Sequence, residues 1–308
     1  MTKTKQDKKI RCGTVAIVGR PNVGKSTLLN AIVKEKVAIV SKIPQTTRQQ
    51  IRGIYNDERG QIIFVDTPGL HAGRDKLDRF MRKSAYGVTQ QADCIIHLVD
   101  SSKSVGREEE QIVENLSSLK VPIVLGLNKI DLKGERVAQY LELWERLKGV
   151  PVQKIKNFTL IALSGLQGKN IDELLDVLFA VLPEGPRLYP EDALTDTPQR
   201  MAIADIIREK LLGVLRQEVP HSVAVVIENI QPRRKKTIYI QALILVERDS
   251  QKTIVIGKNA KLLKEIGQQA RLELENLLES KVFLELRVKT KKDWRDNDEL
   301  LLEMGYHQ

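Results

Sequence analysis

The sequence predicts two domains, a doubly wound α/β domain with a mainly parallel sheet and, after it, a smaller α+β domain. Short apolar runs alternate with longer amphipathic stretches in the first part of the chain, as they do where crossover helices join parallel strands. Four prolines then interrupt the pattern between positions 183 and 198, and the elements after them follow a different order, α-β-β-α-α-β. The length of 308 residues accommodates two such cores.

The strands of the first domain are predicted from continuous apolar runs. A parallel strand covered by helices on both faces carries apolar residues at nearly every position. A further strand, antiparallel to its neighbour, is predicted at Ile51–Tyr55. The apolar runs are Thr14–Val18, Ile62–Val65, Cys94–Val99, Ile123–Leu127 and Thr159–Leu163.

The second domain is predicted to begin with a helix after a proline-rich linker. Thr197 offers a capping hydroxyl and Pro198 suits the first helical position, so the helix is expected to run from there to about Gln217. The elements expected after it are strands at Val223–Glu228 and Ile238–Val246, a helical region at Asn259–Leu278 and a last strand at Val282–Val288. The predicted organisation is a polar tail (1–12), a first domain (13–182), a linker (183–197) and a second domain (198–308).

Composition narrows the class of protein before any motif is considered. The formal net charge of +10 favours anionic partners, among them RNA, nucleotide phosphates and an acidic membrane surface. The two cysteines are distant in sequence, so neither a disulfide framework nor a zinc knuckle is expected. Aromatic residues make up only 4% of the chain, so RNA binding dominated by base stacking is not expected either. No apolar stretch is long enough for a membrane span, so a soluble protein is expected, with attachment to a membrane surface left open, and the two distant cysteines fit a reducing cytosol.

The first motif is a phosphate-binding loop between a predicted strand and a predicted helix. Gly19 and Gly24 permit backbone conformations in which successive N–H groups point at phosphate oxygens. Lys25 is expected to bridge the β- and γ-phosphates, and the Ser26 hydroxyl to coordinate Mg²⁺. The segment reads Gly19-Arg20-Pro21-Asn22-Val23-Gly24-Lys25-Ser26, which matches G-x-x-x-x-G-K-[ST], and Thr27 follows it as a further predicted contact.

Two further segments follow predicted strands and complete a guanine nucleotide site. In Asp66-Thr67-Pro68-Gly69 the carboxylate is suited to hold Mg²⁺ through water, and the N–H of Gly69 to contact the γ-phosphate. In Asn128-Lys129-Ile130-Asp131 the carboxylate of Asp131 can accept two hydrogen bonds from guanine, which adenine does not offer in that arrangement. GTP, rather than ATP, is therefore the expected nucleotide, with Ser164-Gly165-Leu166 as a second base contact.

These segments resemble the P-loop GTPases of the translation-factor class and, more narrowly, the Era family, over almost the whole chain. The resemblance assigns Pro44-Gln45-Thr46-Thr47-Arg48 to the first switch, with Thr47 the better candidate and Thr46 the second for sensing Mg²⁺ and the γ-phosphate. It implies that Lys25, Thr47, Asp66 and Gly69 carry catalysis, with Ser26, Thr47 and Asp66 at the metal. The family's Ser-Ala-Leu corresponds here to Ser164-Gly165-Leu166, a departure at one position.

The second switch departs from many Ras relatives. Leu70 stands where those proteins carry a glutamine that positions water, so slow intrinsic hydrolysis is expected, with the missing group supplied from elsewhere. His71 follows it and is expected to be exposed to solvent rather than to act as a base.

The second domain resembles a type II KH domain, which clamps single-stranded RNA with a G-x-x-G loop. The matching residues are Gly257-Lys258-Asn259-Ala260, followed by Lys261 and Lys264, with Ala260 in place of the family's last glycine. Trp294 is expected to be a packing anchor. The turn at Arg233–Lys236 is either a solvated hairpin tip or an RNA contact.

The resemblance implies a GTP-hydrolysing switch that binds 16S ribosomal RNA and assists assembly of the small ribosomal subunit. Such a protein would be monomeric and cytoplasmic, with peripheral association at the inner face of the cell membrane as an additional expectation. Two alternatives stay open from sequence. One is an RNA-binding protein gated by a nucleotide that it scarcely hydrolyses, and the other is a regulatory GTPase acting at the membrane surface.

Overall fold

The structure is a computed structural model that describes residues 10–44, 46–69, 75–132, 136–234 and 236–306. The described chain divides into two compact units. The first holds the described residues within 10–38, 47–69 and 82–196, and the second holds those within 39–46, 75–81 and 197–306.

The first unit is built on a six-stranded sheet in the order β2-β3-β1-β4-β5-β6. β2 runs antiparallel to β3 and the other neighbours are parallel, which confirms the predicted doubly wound fold and its antiparallel addition. All residues of β3 and β4 are buried, as expected for strands covered on both faces. The strands are β1 (Arg11–Val18), β2 (Ile51–Asp57), β3 (Gly60–Asp66), β4 (Cys94–Asp100), β5 (Ile123–Asn128) and β6 (Phe158–Ala162).

Helices cover both faces of this sheet because alternate residues of each strand point to opposite sides. Val15 and Ile17 of β1 pack in one core with α1 and α5, whereas Ala16 and Val18 pack in another with α3 and α4. The helices are α1 (Lys25–Val33), α2 (Lys76–Gln91), α3 (Arg107–Ser117), α4 (Val137–Lys148) and α5 (Ile171–Val181). The first residues of α2, 76–81, belong to the second unit.

The proline-rich segment is held to the first unit up to Asp196. The buried side chain of Gln61 accepts hydrogen bonds from the backbone N–H groups of Leu188 (2.8 Å) and Tyr189 (3.0 Å) and donates to the carbonyl of Tyr189 (2.9 Å). Ile54 on the edge strand β2 donates its N–H to the carbonyl of Leu194. Backbone groups that an edge strand would leave unpaired are thereby partly satisfied.

The second unit packs helices on one face of a three-stranded sheet in the order β7-β8-β9, in which β7 and β8 are antiparallel and β8 and β9 parallel. Its first helix begins at Gln199 with Pro198 as its N-cap, one residue later than predicted, and it ends at Val214. Its elements are α6 (Gln199–Val214), β7 (Ala224–Arg233), β8 (Thr237–Val246), α7 (Asp249–Ile256), α8 (Lys261–Leu277), β9 (Lys281–Thr290) and α9 (Asp298–Glu303).

Helix α7 lies ahead of the helical region predicted from sequence. Its run of β-branched residues, 253–256, favours a strand by propensity, yet Val255 is fully buried in the core and Gln251 closes a capping box at the helix start. Tertiary packing therefore overrides the local preference at this point.

A separate apolar cluster covers one end of the opposite sheet face. It contains Ala224 and Val226 of β7 together with Trp294 and Tyr306, and it also takes in residues from 75–81. Trp294 is fully buried and donates its indole N–H to the carbonyl of Ser222 at 2.9 Å, which confirms its role as a packing anchor. Among the described residues, no helix is both long and apolar enough to cross a membrane.

Candidate functional site

The predicted phosphate loop lies between the end of β1 and the start of α1. Gly24 has a φ of 104° and directly precedes the helix. A Cβ at that position would lie 2.5 Å from the side-chain nitrogen of Asn128, and one at Gly19 would lie 2.2 Å from the carbonyl oxygen of Leu98. Both glycines are therefore required by close approach, and Gly24 by its backbone conformation as well.

The ammonium group of Lys25 is held inside this loop. It donates hydrogen bonds to the carbonyl oxygens of Gly19 (3.0 Å) and Arg20 (3.1 Å). Burial lowers the pKa of Lys25, and the negative charges of Asp66 and Glu109 oppose that shift. A buried cation at the first position of a helix is suited to an anionic group such as a phosphate, because its charge and the helix N-terminus both favour negative charge.

Three oxygen-bearing side chains meet beside the loop. The hydroxyl of Ser26 donates to Asp66 Oδ2 at 2.5 Å and lies 2.9 Å from the hydroxyl of Thr47, which itself lies 3.3 Å from Asp66 Oδ2. Burial raises the pKa of Asp66, and its second oxygen, Oδ1, is buried with no hydrogen-bond partner among the described residues. Two hydroxyls and an under-satisfied carboxylate fit the oxygen ligands that Mg²⁺ takes.

The two threonines predicted to sense Mg²⁺ and the γ-phosphate differ in the partners of their hydroxyls. Thr47 faces Ser26 and Asp66, whereas Thr46 donates its hydroxyl proton to the carbonyl of Ile43 at 2.7 Å. The geometry thus separates the two candidates that the sequence left open. Gln45, in the same segment, lies outside the described residues.

The segment after β3 lies against the phosphate loop. Thr67 donates its hydroxyl proton to the carbonyl of Ile17 at 2.9 Å, and Pro68 follows it. A Cβ at Gly69 would lie 2.9 Å from the ring of Pro21, so only a glycine allows the two loops to approach this closely. Leu70 and His71 lie outside the described residues.

Asn128 joins the predicted base-contact loops to the phosphate loop. Its amide nitrogen donates to the carbonyl of Val23 (2.8 Å), and its amide oxygen accepts from the N–H of Gly165 (2.9 Å). Lys129 donates to the carbonyl of Asn22 (2.7 Å) and to Asp100 (2.8 Å). These contacts bring together three segments that lie far apart in sequence.

The proposed guanine contacts lie at one edge of this assembly. Asp131 accepts a hydrogen bond from the hydroxyl of Ser164, and Leu166 is 78% exposed. A Cβ at Gly165 would lie 3.2 to 3.3 Å from backbone and Cβ atoms of Leu28, closer than most side-chain contacts. The glycine that departs from the family pattern therefore relieves a tight contact with α1, while its N–H remains anchored by Asn128.

A chain of polar contacts, which the sequence pattern does not indicate, links Arg20 of the phosphate loop to buried residues of the first unit. Arg20 Nε lies 3.5 Å from Glu109 Oε2, and His97 Nε2 lies 2.7 Å from Glu109 Oε1. Trp144 donates its indole N–H to His97 Nδ1 at 3.2 Å, so a neutral His97 carries its proton on Nε2 and donates it to Glu109. In sequence, Glu109 sits in an acidic run at a helix start and is indistinguishable from a solvated face.

The predicted RNA loop joins α7 to α8 and carries three residues with positive φ. Gly257 has a φ of 72°, and a Cβ there would lie 2.8 Å from Leu262 Cβ. Asn259 (φ 54°) and Ala260 (φ 56°) follow in the left-handed region, so the alanine adopts the conformation for which the family pattern has glycine. The exposed side chains in and after this loop include the cationic Lys258, Lys261 and Lys264, with Asn259 and the acidic Glu265 among them.

Comparisons with known proteins agree with this arrangement. Residues 14–129 match the family described as 50S ribosome-binding GTPase, and residues 218–295 match the KH domain family. GTPase Era of Carboxydothermus hydrogenoformans is 47% identical over 301 residues, covering 96% of this chain and 98% of that protein. GTPase Era of Halothermothrix orenii is 44% identical over 297 residues, with 96% and 98% covered.

Two solved structures share the fold over nearly the whole chain. One is a variant of Era from Aquifex aeolicus bound to GDP·AlF4⁻, with a TM-score of 0.89, 39% identity, and 97% of this chain and 100% of that chain covered. The other is Era in complex with MgGDPNP and nucleotides 1506–1542 of 16S ribosomal RNA, with the same TM-score, identity and coverage.

The left-handed conformation of Ala260 predicts a gain in stability on substitution by glycine. Ala260→Gly removes a Cβ penalty of about 1–2 kcal/mol at the cost of a more flexible unfolded chain, so the free energy of unfolding is expected to rise by about 0.5–1 kcal/mol. Urea denaturation of the purified chain measures it. Asn259→Gly is the matched control and should gain less, because asparagine tolerates this region. A loss of stability in Ala260→Gly would contradict the strain.

Proposed function

Because the chain belongs to the Era family of GTPases, we propose that its GTP cycle controls the binding of small-subunit ribosomal RNA through its KH domain. The observation that carries the nucleotide half of this proposal is the meeting of Ser26, Thr47 and Asp66 beside the buried ammonium group of Lys25. The RNA half is supported by the cationic, left-handed loop 257–260.

In the proposed nucleotide complex, the loop backbone from Gly19 to Ser26 surrounds the phosphates. Lys25 leaves the carbonyls of Gly19 and Arg20 and pairs with the β- and γ-phosphate oxygens. Ser26, Thr47 and Asp66 would hold Mg²⁺, directly or through water, and the ion would supply positive charge that neutralises the β- and γ-phosphates. The buried Oδ1 of Asp66 supports this assignment, since it has no hydrogen-bond partner among the described residues.

Hydrolysis of GTP to GDP and phosphate then depends on position and charge. Lys25 stabilises the negative charge that develops on the transferred phosphoryl group, and the N–H of Gly69 contacts the γ-phosphate only while it is present. The hydroxyl of Thr47, which lies near Ser26 and Asp66, would likewise help to hold the ion while the γ-phosphate is present. Loss of both contacts after hydrolysis releases the two switch segments, which is how the nucleotide would bias RNA binding.

Guanine recognition is assigned to Asp131, with the loop at Ser164–Leu166 closing over the base. The bond from Ser164 to Asp131 orients the carboxylate, and the bond from Gly165 to Asn128 ties the base loop to the phosphate loop. Guanine offers this carboxylate two N–H donors, whereas adenine does not, so adenine would leave part of its hydrogen-bonding capacity unused and bind more weakly.

On the RNA side, we propose that the backbone around Gly257 clamps the RNA while Lys258, Asn259, Ala260, Lys261 and Lys264 surround its phosphates. The relative solved with nucleotides 1506–1542 of 16S ribosomal RNA indicates the class of RNA, and assistance in assembling the small subunit is the proposed role. The protein is proposed to act as a monomer in the cytoplasm.

The switch assignment predicts different behaviour for two adjacent threonines. Thr47→Ala is expected to weaken a GTP analogue about tenfold in the presence of Mg²⁺ while leaving GDP affinity nearly unchanged, because only the triphosphate state engages this hydroxyl. Fluorescent-nucleotide titration with and without Mg²⁺ measures both. Thr46→Ala is the matched control and should resemble wild type. The reverse pattern would assign the ion to Thr46.

The base assignment predicts a change of nucleotide. Asp131→Asn replaces an acceptor by a donor and should shift preference from GTP toward XTP by roughly a hundredfold or more in relative affinity. Competition of GTP and XTP for the same site measures the shift. Asp172→Asn, an exposed carboxylate in the first turn of α5, is the control. Retained guanine selectivity would place the base elsewhere.

The RNA assignment predicts that removing two lysines at the loop makes RNA affinity both weaker and less dependent on salt. Lys258→Ala with Lys261→Ala should weaken binding of an RNA covering nucleotides 1506–1542 about tenfold. It should also flatten the slope of log Kd against log salt by about 1.4, for two lost phosphate contacts. Lys154→Ala with Lys156→Ala, exposed lysines of the first unit, is the control. An equal loss of RNA affinity in both double variants would contradict an RNA role for this loop. So would a wild-type chain that binds anionic phosphatidylglycerol vesicles but no RNA.

A further inference from the structure

The sheet of the second unit has a face that its helices do not cover. Along β9, Val282, Leu284, Leu286 and Val288 pack against the core beneath the helices. Because successive side chains of a strand point to opposite faces, residues 281, 283, 285, 287 and 289 project to the other side. The cluster around Trp294 covers one end of that side, and the end near Tyr239 and Phe283 remains exposed.

Two aromatic rings form a platform at this exposed end. Tyr239 and Phe283 are partners in the β8–β9 register, with ring centroids 5.8 Å apart and ring planes tilted by 31°. Phe283 is 54% exposed, although a phenylalanine ring is more often buried in a core. The hydroxyl of Tyr239 donates to Glu285 at 2.5 Å, which fixes the orientation of its ring. An exposed aromatic ring of this kind offers a face on which one base can stack.

An arginine lies over one ring and leaves the other open. The guanidinium of Arg233 is 4.0 Å from the ring centre of Tyr239 and 5.5 Å from that of Phe283. It therefore covers Tyr239 and places a fixed positive charge beside the open ring face of Phe283. An apolar face flanked by a cation is suited to a planar group that carries a negative charge nearby, as a nucleotide does.

The surrounding charge is positive. The two acidic groups here are engaged, since Glu228 forms an ion pair with Arg287 and Glu285 accepts a hydrogen bond from Tyr239. The cationic residues at this end of the sheet lie at the end of β7, in the turn after it and at the start of β9, and they are Arg233, Arg234, Lys236 and Lys281. This excess of positive charge favours a polyanion over an apolar protein segment.

We propose that this outer sheet face, defined by Arg233, Tyr239 and Phe283, is a second surface for single-stranded RNA, with one base stacked on Phe283. The proposal rests on the RNA-binding function proposed above. An unpaired base is required, because bases inside a duplex do not offer their faces to a protein side chain. Arg233 and Lys281 contact the phosphates on either side of that base.

The surface is separate from the loop at Gly257. The loop precedes the first residue of α8, whereas Lys281 follows the end of the same helix, whose 17 residues span about 25 Å. An RNA that reaches both must be several nucleotides longer than one that fills the loop alone. The sheet surface would thus select for a longer single-stranded region.

Substitution of Phe283 tests the proposal, because an exposed ring contributes little to the fold. In the full chain, Phe283→Ala is expected to raise the Kd for an RNA covering nucleotides 1506–1542 about tenfold, and Phe283→Trp to restore wild-type binding. Leu272→Ala, an equally exposed apolar residue on α8, is the matched control and should not change the Kd. In wild type, RNA substituted with 4-thiouridine should crosslink to the peptide that contains Phe283.

The outcomes separate this surface from the RNA loop. If Lys258→Ala with Lys261→Ala weakens RNA binding but Phe283→Ala does not, the RNA function stands and the sheet surface is overturned. If Phe283→Ala instead abolishes capture of a protein while RNA affinity is unchanged, the surface is a protein contact and the proposal fails. If wild-type protein binds no RNA, the proposed function itself fails.

Discussion

The parallel pairing of β1 with β3 is the constraint on which the nucleotide site depends. Their register places Ile17 beside Asp66, so the loop that begins at Gly19 and the carboxylate at the end of β3 leave the sheet at the same edge. Ser26 and Asp66 are 40 residues apart in sequence and 2.5 Å apart in space for this reason. A slip of one residue would turn Asp66 toward the opposite face of the sheet.

Burial then gives this edge its electrostatic character. The ammonium group of Lys25 and the carboxylate of Asp66 are both buried. Desolvation lowers the pKa of Lys25 and raises the pKa of Asp66, because burial disfavours the charged form of each group. Such groups are costly unless they are paired, and here two loop carbonyls pair with Lys25 while two hydroxyls pair with Asp66. The charge that burial leaves under-satisfied is what the ligands proposed above, phosphate at Lys25 and a hard cation at Asp66, would complete. The buried pair of Glu109 and His97 extends the same network below the loop through Arg20.

The second unit uses its few aromatic residues in two distinct ways. Trp294 is buried as an anchor, whereas Phe283 stands exposed on the sheet with Arg233 beside it. The low aromatic content argues against extensive stacking, but a single exposed ring in a cationic setting is compatible with one stacked base. Ala260 is strained by comparison, because it adopts the left-handed backbone conformation that a glycine at this position would adopt without strain.

The sequence by itself determined the fold class, the strands of the first unit and the family. Motifs such as Gly19–Ser26 encode local backbone requirements, and buried parallel strands leave continuous apolar runs; both are readable from neighbouring residues. The tertiary structure alone decided which threonine faces Asp66, that α7 is a helix despite its β-branched run, and that Glu109, His97 and Trp144 support Arg20. It also decided that Phe283 is exposed. Each of these depends on contacts between residues distant in the chain, whose side chains are placed by packing rather than by local preference.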